Sequence, residues 1–144
     1  MTTATATVAS VLGDLRVRKG ADRVDYDRRI REGLPVSSLE RLKGLLDLSD
    51  RDIASLVGMS ARSITRIKKS RERLSPVAGD RLYRSAHIFA FAIEVLGGVE
   101  QAKQWLKSPQ YGLGERIPLS MMETEAGAKE VEDLLGRIEH GVYS

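Results

Sequence analysis

The chain has 144 residues, 42% of them hydrophobic, a formal charge of +3 and no cysteine. That length allows one domain or two small ones with a real core. The missing cysteines exclude a disulfide framework, a thiolate metal site and a thiol nucleophile, and they fit a reducing, cytoplasmic setting. Charge is unevenly spread. Ser60 to Arg84 holds eight basic and two acidic residues, a local +6, whereas Gln110 to Ser144 holds three basic against seven acidic, a local −4. The middle suits a polyanion and the end a basic partner.

Met1 to Leu12 lacks a charged leader and a long apolar run, so neither a signal peptide nor a membrane span is expected. Met1 to Thr7 reads as a mobile tail. Val8, Val11, Leu12 and Leu15 form a short helical stripe that must dock on a dimer partner or on the following helices. Asp14 to Arg31 carries mixed charge and reads as a solvated connector, with a helix around Tyr26 and Ile30 as the alternative. Residues 1–32 are thus an N-terminal extension without an assigned role.

Gly33-Leu34-Pro35 interrupts the pattern, and Ser37 with Glu40 has the spacing of a capping box that restarts it. Leu39, Leu42, Leu45 and Leu46 form the inward stripe of that helix. Ser49 caps the next one, with Asp52 in the carboxylate position. The segment from Ser49 to Lys69 has the order of a helix-turn-helix. Ile53, Leu56 and Val57 make an inward face, and Ala54 allows close crossing. Gly58 suits a left-handed helix end, Met59 fills the corner, and Ser60 caps a second helix whose Ile64 and Ile67 turn inward. The outer face carries Ser60, Arg62, Ser63, Thr65, Arg66, Lys68 and Lys69. Arginine can bond guanine in bidentate fashion, and Ser, Thr and Lys hold phosphates, so this face is the candidate DNA-binding surface, with Arg62 and Arg66 on bases and Lys68 and Lys69 on phosphates.

Leu74-Ser75-Pro76 opens a helix expected to reach Leu96. Val77, Leu82 and Tyr83 make its first half amphipathic. Between Ala86 and Leu96 only His87 and Glu94 are polar, which requires cover on several sides. This helix is either the hub between two modules, or an oligomer interface, or the central helix of a single core. Gly97-Gly98 stops it, and Val99 to Lys107 forms a short helix with Ala102, Trp105 and Leu106 on one face. A loop at Tyr111-Gly112-Leu113-Gly114 and a turn from Pro118 through Met122 follow. Thr124 caps a last helix from Glu125 to His140, with Ala128, Val131, Leu134, Leu135 and Ile138 inward and Gly141 as its stop. The fold class is all-α. The division is 1–32, then a helix-turn-helix domain over 33–84, then a small helical domain over 85–144, with the boundary inside the long shared helix.

Catalytic residues are not evident. His87 reads as a core or interface histidine, and His140 as a cation at a helix carboxyl end. Glu130, Glu132, Asp133 and Glu139 scatter around their helix as solvated carboxylates rather than metal ligands. Gly112-Leu113-Gly114 lacks the rest of a phosphate-binding loop. No enzyme activity, metal, cofactor or small-molecule substrate is expected.

Leu96-Gly97-Gly98, Ala102, Trp105-Leu106, Ser108-Pro109, Leu113-Gly114, Pro118-Leu119, Thr124, Gly127, Val131 and Leu135 through Val142 together resemble the toxin-binding domain of the Xre/MbcA/ParS antitoxins. A helix-turn-helix ahead of such a domain is similar to the Xre antitoxins paired with RES-domain toxins. The resemblance covers Gly33 to Ser144. It implies a bacterial type II antitoxin that blocks an NAD-consuming RES-type toxin and represses its own operon. It further implies that the last helix and tail lie at the toxin's active-site cleft, here Leu134, Arg137, Ile138, Glu139, His140, Val142, Tyr143 and Ser144. Physics supports the same end of the chain, because a cleft for the NAD pyrophosphate is electropositive and an acidic helix complements it. The partners expected are the toxin protein, operator DNA with an inverted repeat, and a second copy of the chain, without a membrane. The alternative is a stand-alone helix-turn-helix repressor whose C-terminal domain dimerises it.

Overall fold

A computed structural model of the chain describes residues 7–13 and 23–141. It is organised around α6 (Pro76–Leu96), which begins where the Ser75 hydroxyl accepts a hydrogen bond from the Ala78 amide at 3.2 Å. Pro76 stands in the first turn, where a missing N–H leaves no partner unsatisfied. Gly97 ends the helix in the left-handed conformation. Ala78, Leu82, Ala86, Ile88, Phe89, Ala90 and Ala92 are all buried, so the apolar half of α6 is covered on several sides, as its composition demands.

That cover comes from α1 (Val8–Leu12), α2 (Arg23–Glu32), α4 (Asp50–Val57), α7 (Val99–Leu106) and α9 (Glu125–Glu139). Buried residues from Val11 to Leu135 form one continuous cluster. The cluster makes α6 the central helix of one core. Each Leu, Ile or Phe closed off in it contributes roughly 1.5–3 kcal/mol.

The α1 stripe docks on the helices that follow it, α6 and α3 (Val36–Leu46), with Val11 and Leu12 buried. The Arg41 Nε donates to the Ser10 carbonyl at 3.0 Å and ties α1 down. Leu15 and the tail at residues 1–6 lie outside the described residues, as do residues 14–22 of the expected connector.

The rest of that connector is a helix, which corrects the solvated reading for α2. Tyr26 and Ile30 stand one turn apart and are buried, and the Arg29 stem is buried with them while its Nη1 donates to the Gly33 carbonyl at 2.7 Å. Tyr26 meets Tyr83 of α6 with ring centroids 4.9 Å apart. One aromatic ring, Tyr26, and the long aliphatic stem of Arg29 joined Ile30 in an apolar face that a count of aliphatic residues missed.

The capping box is also corrected. α3 starts at Val36, with Pro35 as its N-cap and no side-chain bond there. Burial of Leu34 and Val36 draws the helix start into the core ahead of Ser37. Val77, expected inward, is 63% exposed, because Ala78, Gly79 and Leu82 are the residues of the first α6 turns that face the core. His87 is no core histidine either. Its side chain is 43% exposed, 4.0 Å from Glu132 and stacked on Tyr83.

The C-terminal half closes through a 3-10 turn at Tyr111–Leu113 and α8 (Pro118–Met121), before Thr124 caps α9 by accepting from the Gly127 amide at 3.0 Å. An isolated antiparallel bridge joins Gln110 and Arg116, and no strand is present among the described residues. Lys107 reaches back to the carbonyls of Leu46 and Asp47 at 3.1 and 3.0 Å, linking the two halves where α3 ends. Among the described residues no single helix is long and apolar enough to cross a membrane.

Candidate functional site

The helix-turn-helix is α4 with α5 (Ala61–Ser70). Ser49 caps α4 by accepting from the Asp52 amide at 3.1 Å. Gly58 then takes φ +72°, which lets the Met59 amide reach back to the Ala54 carbonyl at 2.8 Å and turns the chain sharply. The Arg81 guanidinium of α6 lies across the face of Gly58, in the space a side chain there would need. Ser60 starts α5 by accepting from the Ser63 amide at 3.0 Å, and Ile64 and Ile67 seat the helix in the core. Each of these features follows the expected spacing.

What remains outside is the basic face. Ser60, Arg62, Thr65, Arg66 and Lys69 are exposed, while Ser63 and Lys68 are half-buried. These residues are not equivalent. Arg62 and Lys69 make no ion pair with any described residue. The Arg66 Nη1 is held by the Glu72 carboxylate at 2.6 Å. Lys68 Nζ stands 3.4 Å from Asp50 Oδ1, which also receives Lys43 at 3.2 Å. The hydrogen bond from Lys43, aided by that from Lys68, holds the Asp50 carboxyl below its usual range against a smaller desolvation effect. Thr65 spends its hydroxyl proton on the Ala61 carbonyl at 3.1 Å, leaving its oxygen as an acceptor. Sequence reasoning overlooked Glu72, since it lies beyond the helix end and reaches the face only through the left-handed turn at Arg71, φ +59°.

At the opposite end, α9 packs Leu134 and Leu135 against α6. Leu134 is 6% exposed and belongs to the core, not to the open side of the helix. Arg137 and Ile138 are half-buried, and Glu139 and His140 are exposed at the helix end. His140 is the C-cap residue, with Nε2 3.7 Å from Glu139. Val142, Tyr143 and Ser144 lie outside the described residues. Phe91, Glu132, Asp133, Gly136, Arg137, Glu139 and His140 surround an open groove of about 580 Å³. Phe91 and Glu132 also border a second depression with His87 and Glu94. The signal for Phe91 was the all-round apolarity of α6, which exceeds what one core-facing stripe uses.

Among the described residues no group of three or more His, Asp or Glu side chains is placed to hold a metal ion. The two faces offer hydrogen bonding and charge, not a convergent acid, base and nucleophile.

Comparison with known proteins gives both halves a family. The model for the antitoxin Xre-like helix-turn-helix domain matches residues 25–87. The model for the antitoxin Xre/MbcA/ParS C-terminal toxin-binding domain matches residues 91–141. Antitoxin Xre of Yersinia enterocolitica is 35% identical over 116 residues, 80% of this chain and 78% of that protein. Antitoxin Xre of Photorhabdus laumondii is 34% identical over the same shares. Antitoxin Xre of Pseudomonas putida is 37% identical over 101 residues, 67% of this chain and 64% of that one. A chain of the crystal structure of the M. tuberculosis MbcT–MbcA toxin–antitoxin complex shares the fold, with a TM-score of 0.56 and 23% identity over 76% of this chain and 96% of that chain.

Proposed function

The chain belongs to the Xre antitoxin family, and on that premise we propose that it silences a cognate NAD-consuming RES-type toxin in the cytoplasm and represses its own operon. The observation that carries this reading is the match of a toxin-binding domain over 91–141 directly behind an Xre-like helix-turn-helix over 25–87 in one chain.

On the toxin side, Arg137, Ile138, Glu139 and His140 at the end of α9 supply the contact, and Val142, Tyr143 and Ser144 continue it. Leu134 supports that surface from within. Acidic groups at this end complement the positive cleft that an NAD pyrophosphate requires, and Arg137 pairs with a toxin carboxylate. On the DNA side, Arg62 and Arg66 read base edges while Ser60, Ser63, Thr65, Lys68 and Lys69 hold phosphates. A homodimer presents two such helices to an inverted repeat whose half-site centres lie about 34 Å apart or a multiple of that.

The test is co-expression with the adjacent open reading frame. The two products co-purify, the mixture consumes no NAD, and a chain truncated after Gly141 lets NAD consumption return. A stand-alone repressor would neither co-purify with a neighbour nor release an enzyme on truncation. Unchanged toxin affinity after the truncation would remove the proposed role of the last three residues.

A further inference from the structure

The recognition helix carries a carboxylate on its exposed basic side. α5 ends at Arg71 in the left-handed conformation, φ +59°, and that turn folds the chain back over the last turn of the helix. The fold-back is pinned twice: the Ser70 hydroxyl donates to the Arg66 carbonyl at 3.0 Å, and the Glu72 amide donates to the Ser70 hydroxyl at 3.4 Å. Glu72 is thereby brought six residues back along the chain to the Arg66 guanidinium, 2.6 Å from Nη1, with both side chains more than half exposed. Such a solvated pair adds little to folding.

Its value lies in geometry. A guanidinium presents five N–H donors in a planar fork, and a bidentate contact to guanine uses two adjacent ones. With Nη1 engaged by Glu72, the Nε and Nη2 edge makes no hydrogen bond to any described residue and is left for a base. An arginine already held in one orientation loses less freedom on making that contact. The same carboxylate opposes binding that relies on phosphates alone, because that binding grows with every net positive charge on the face. Both effects widen the gap between the right sequence and any other.

We infer that Glu72 is a specificity-determining residue of the DNA-reading face: it orients Arg66 toward a guanine edge and weakens sequence-independent binding. This rests on the reading of α5 as the DNA-facing helix.

The experiment measures the affinity of the full chain for two duplexes by fluorescence anisotropy. One covers the intergenic segment upstream of the gene, and the other is a shuffled duplex of equal length and composition. Glu72→Gln binds the shuffled duplex several-fold more tightly and the intergenic duplex no more tightly, so the ratio of the two affinities falls by about tenfold, within the range a single bidentate base contact carries. In an Arg66→Ala background only the charge effect is left, so Glu72→Gln lowers the ratio by no more than about twofold. A ratio for Glu72→Gln within twofold of wild type overturns the inference while leaving α5 as the reading helix. An equal fall in the Arg66→Ala background overturns the orienting role. If the wild-type chain does not distinguish the two duplexes, the DNA-reading assignment itself fails.

Discussion

The backbone of Gly127 in the first turn of α9 lies directly against the carbonyl of Met121 at the end of α8, with no room for a side-chain carbon between them. Alanine is the better helix former by about 1 kcal/mol. Here the steric term dominates, since the obstacle is backbone and overpacking costs about 1–3 kcal/mol even where side chains can yield. Gly127→Ala is expected to lower the unfolding free energy by about 1–2 kcal/mol in urea denaturation, and to weaken toxin binding because the α8–α9 corner positions the last helix. A variant as stable as wild type would show that the corner can open freely.

Gly58 and Arg71 both end helices with positive φ, and they predict opposite responses. Gly58→Ala forces a β-carbon into the left-handed region and against the Arg81 guanidinium. It is expected to cost about 1–2 kcal/mol, seen as a drop of several degrees in the thermal midpoint. Arg71→Gly relieves that same strain at the end of α5 and is expected to add about 0.5–1 kcal/mol. A decrease in stability for Arg71→Gly would mean that the Arg71 pair with Glu40, 4.0 Å apart, outweighs the relieved strain.

On the basic face, Arg62 makes no ion pair with any described residue and lies in the first turn of α5, the part of a recognition helix that meets base edges. Arg62→Ala is expected to weaken operator binding by about 1–3 kcal/mol and relax the sequence requirement at one position. Lys69→Ala is expected to weaken all duplexes alike and to reduce the slope of log affinity against log salt by about one. Equal behaviour of the two variants would reassign Arg62 to the phosphates.

Asp50 joins Lys43 of α3 and Lys68 of α5. Its folded carboxyl lies below the unfolded value of 3.8, so the stabilisation is fully present above that pH and disappears as pH falls through the folded value. For exposed groups the amount is below about 1 kcal/mol. Asp50→Asn is expected to be slightly less stable than wild type at pH 7, with the two curves converging in urea midpoints as pH falls below 3.8 and through the folded value. It also frees Lys68 and so tightens binding to shuffled DNA. A constant difference across the whole pH range would show that the carboxylate does not act through its charge.

Punctuation carried much of the legibility. Ser49, Gly58, Ser60, Ser75 with Pro76, Gly97 and Thr124 act through bonds or φ values within three or four residues, so their roles can be read locally, and each stands where the spacing places it. α2 escaped because its buried face consists of Tyr26, the Arg29 stem and Ile30, whose burial depends on Tyr83 and Gly33 being nearby. The start of α3 escaped for a related reason: a capping box competes with burial of Val36, and only the core shows which prevails.

By itself, then, the sequence determined an all-α chain, the bounds of its helix-turn-helix and a long central helix, because period, caps and glycines are local physics. The docking of α1 on α3 and α6, the single shared core and the inward seat of Leu134 were decided by the tertiary structure. The pairing of Glu72 with Arg66 and of Asp50 with Lys68 was decided there too. A stripe shows only that a face must be buried, and an exposed charge only that it is available. Which surface closes on that face, and which opposite charge comes within reach, depends on how the chain returns on itself.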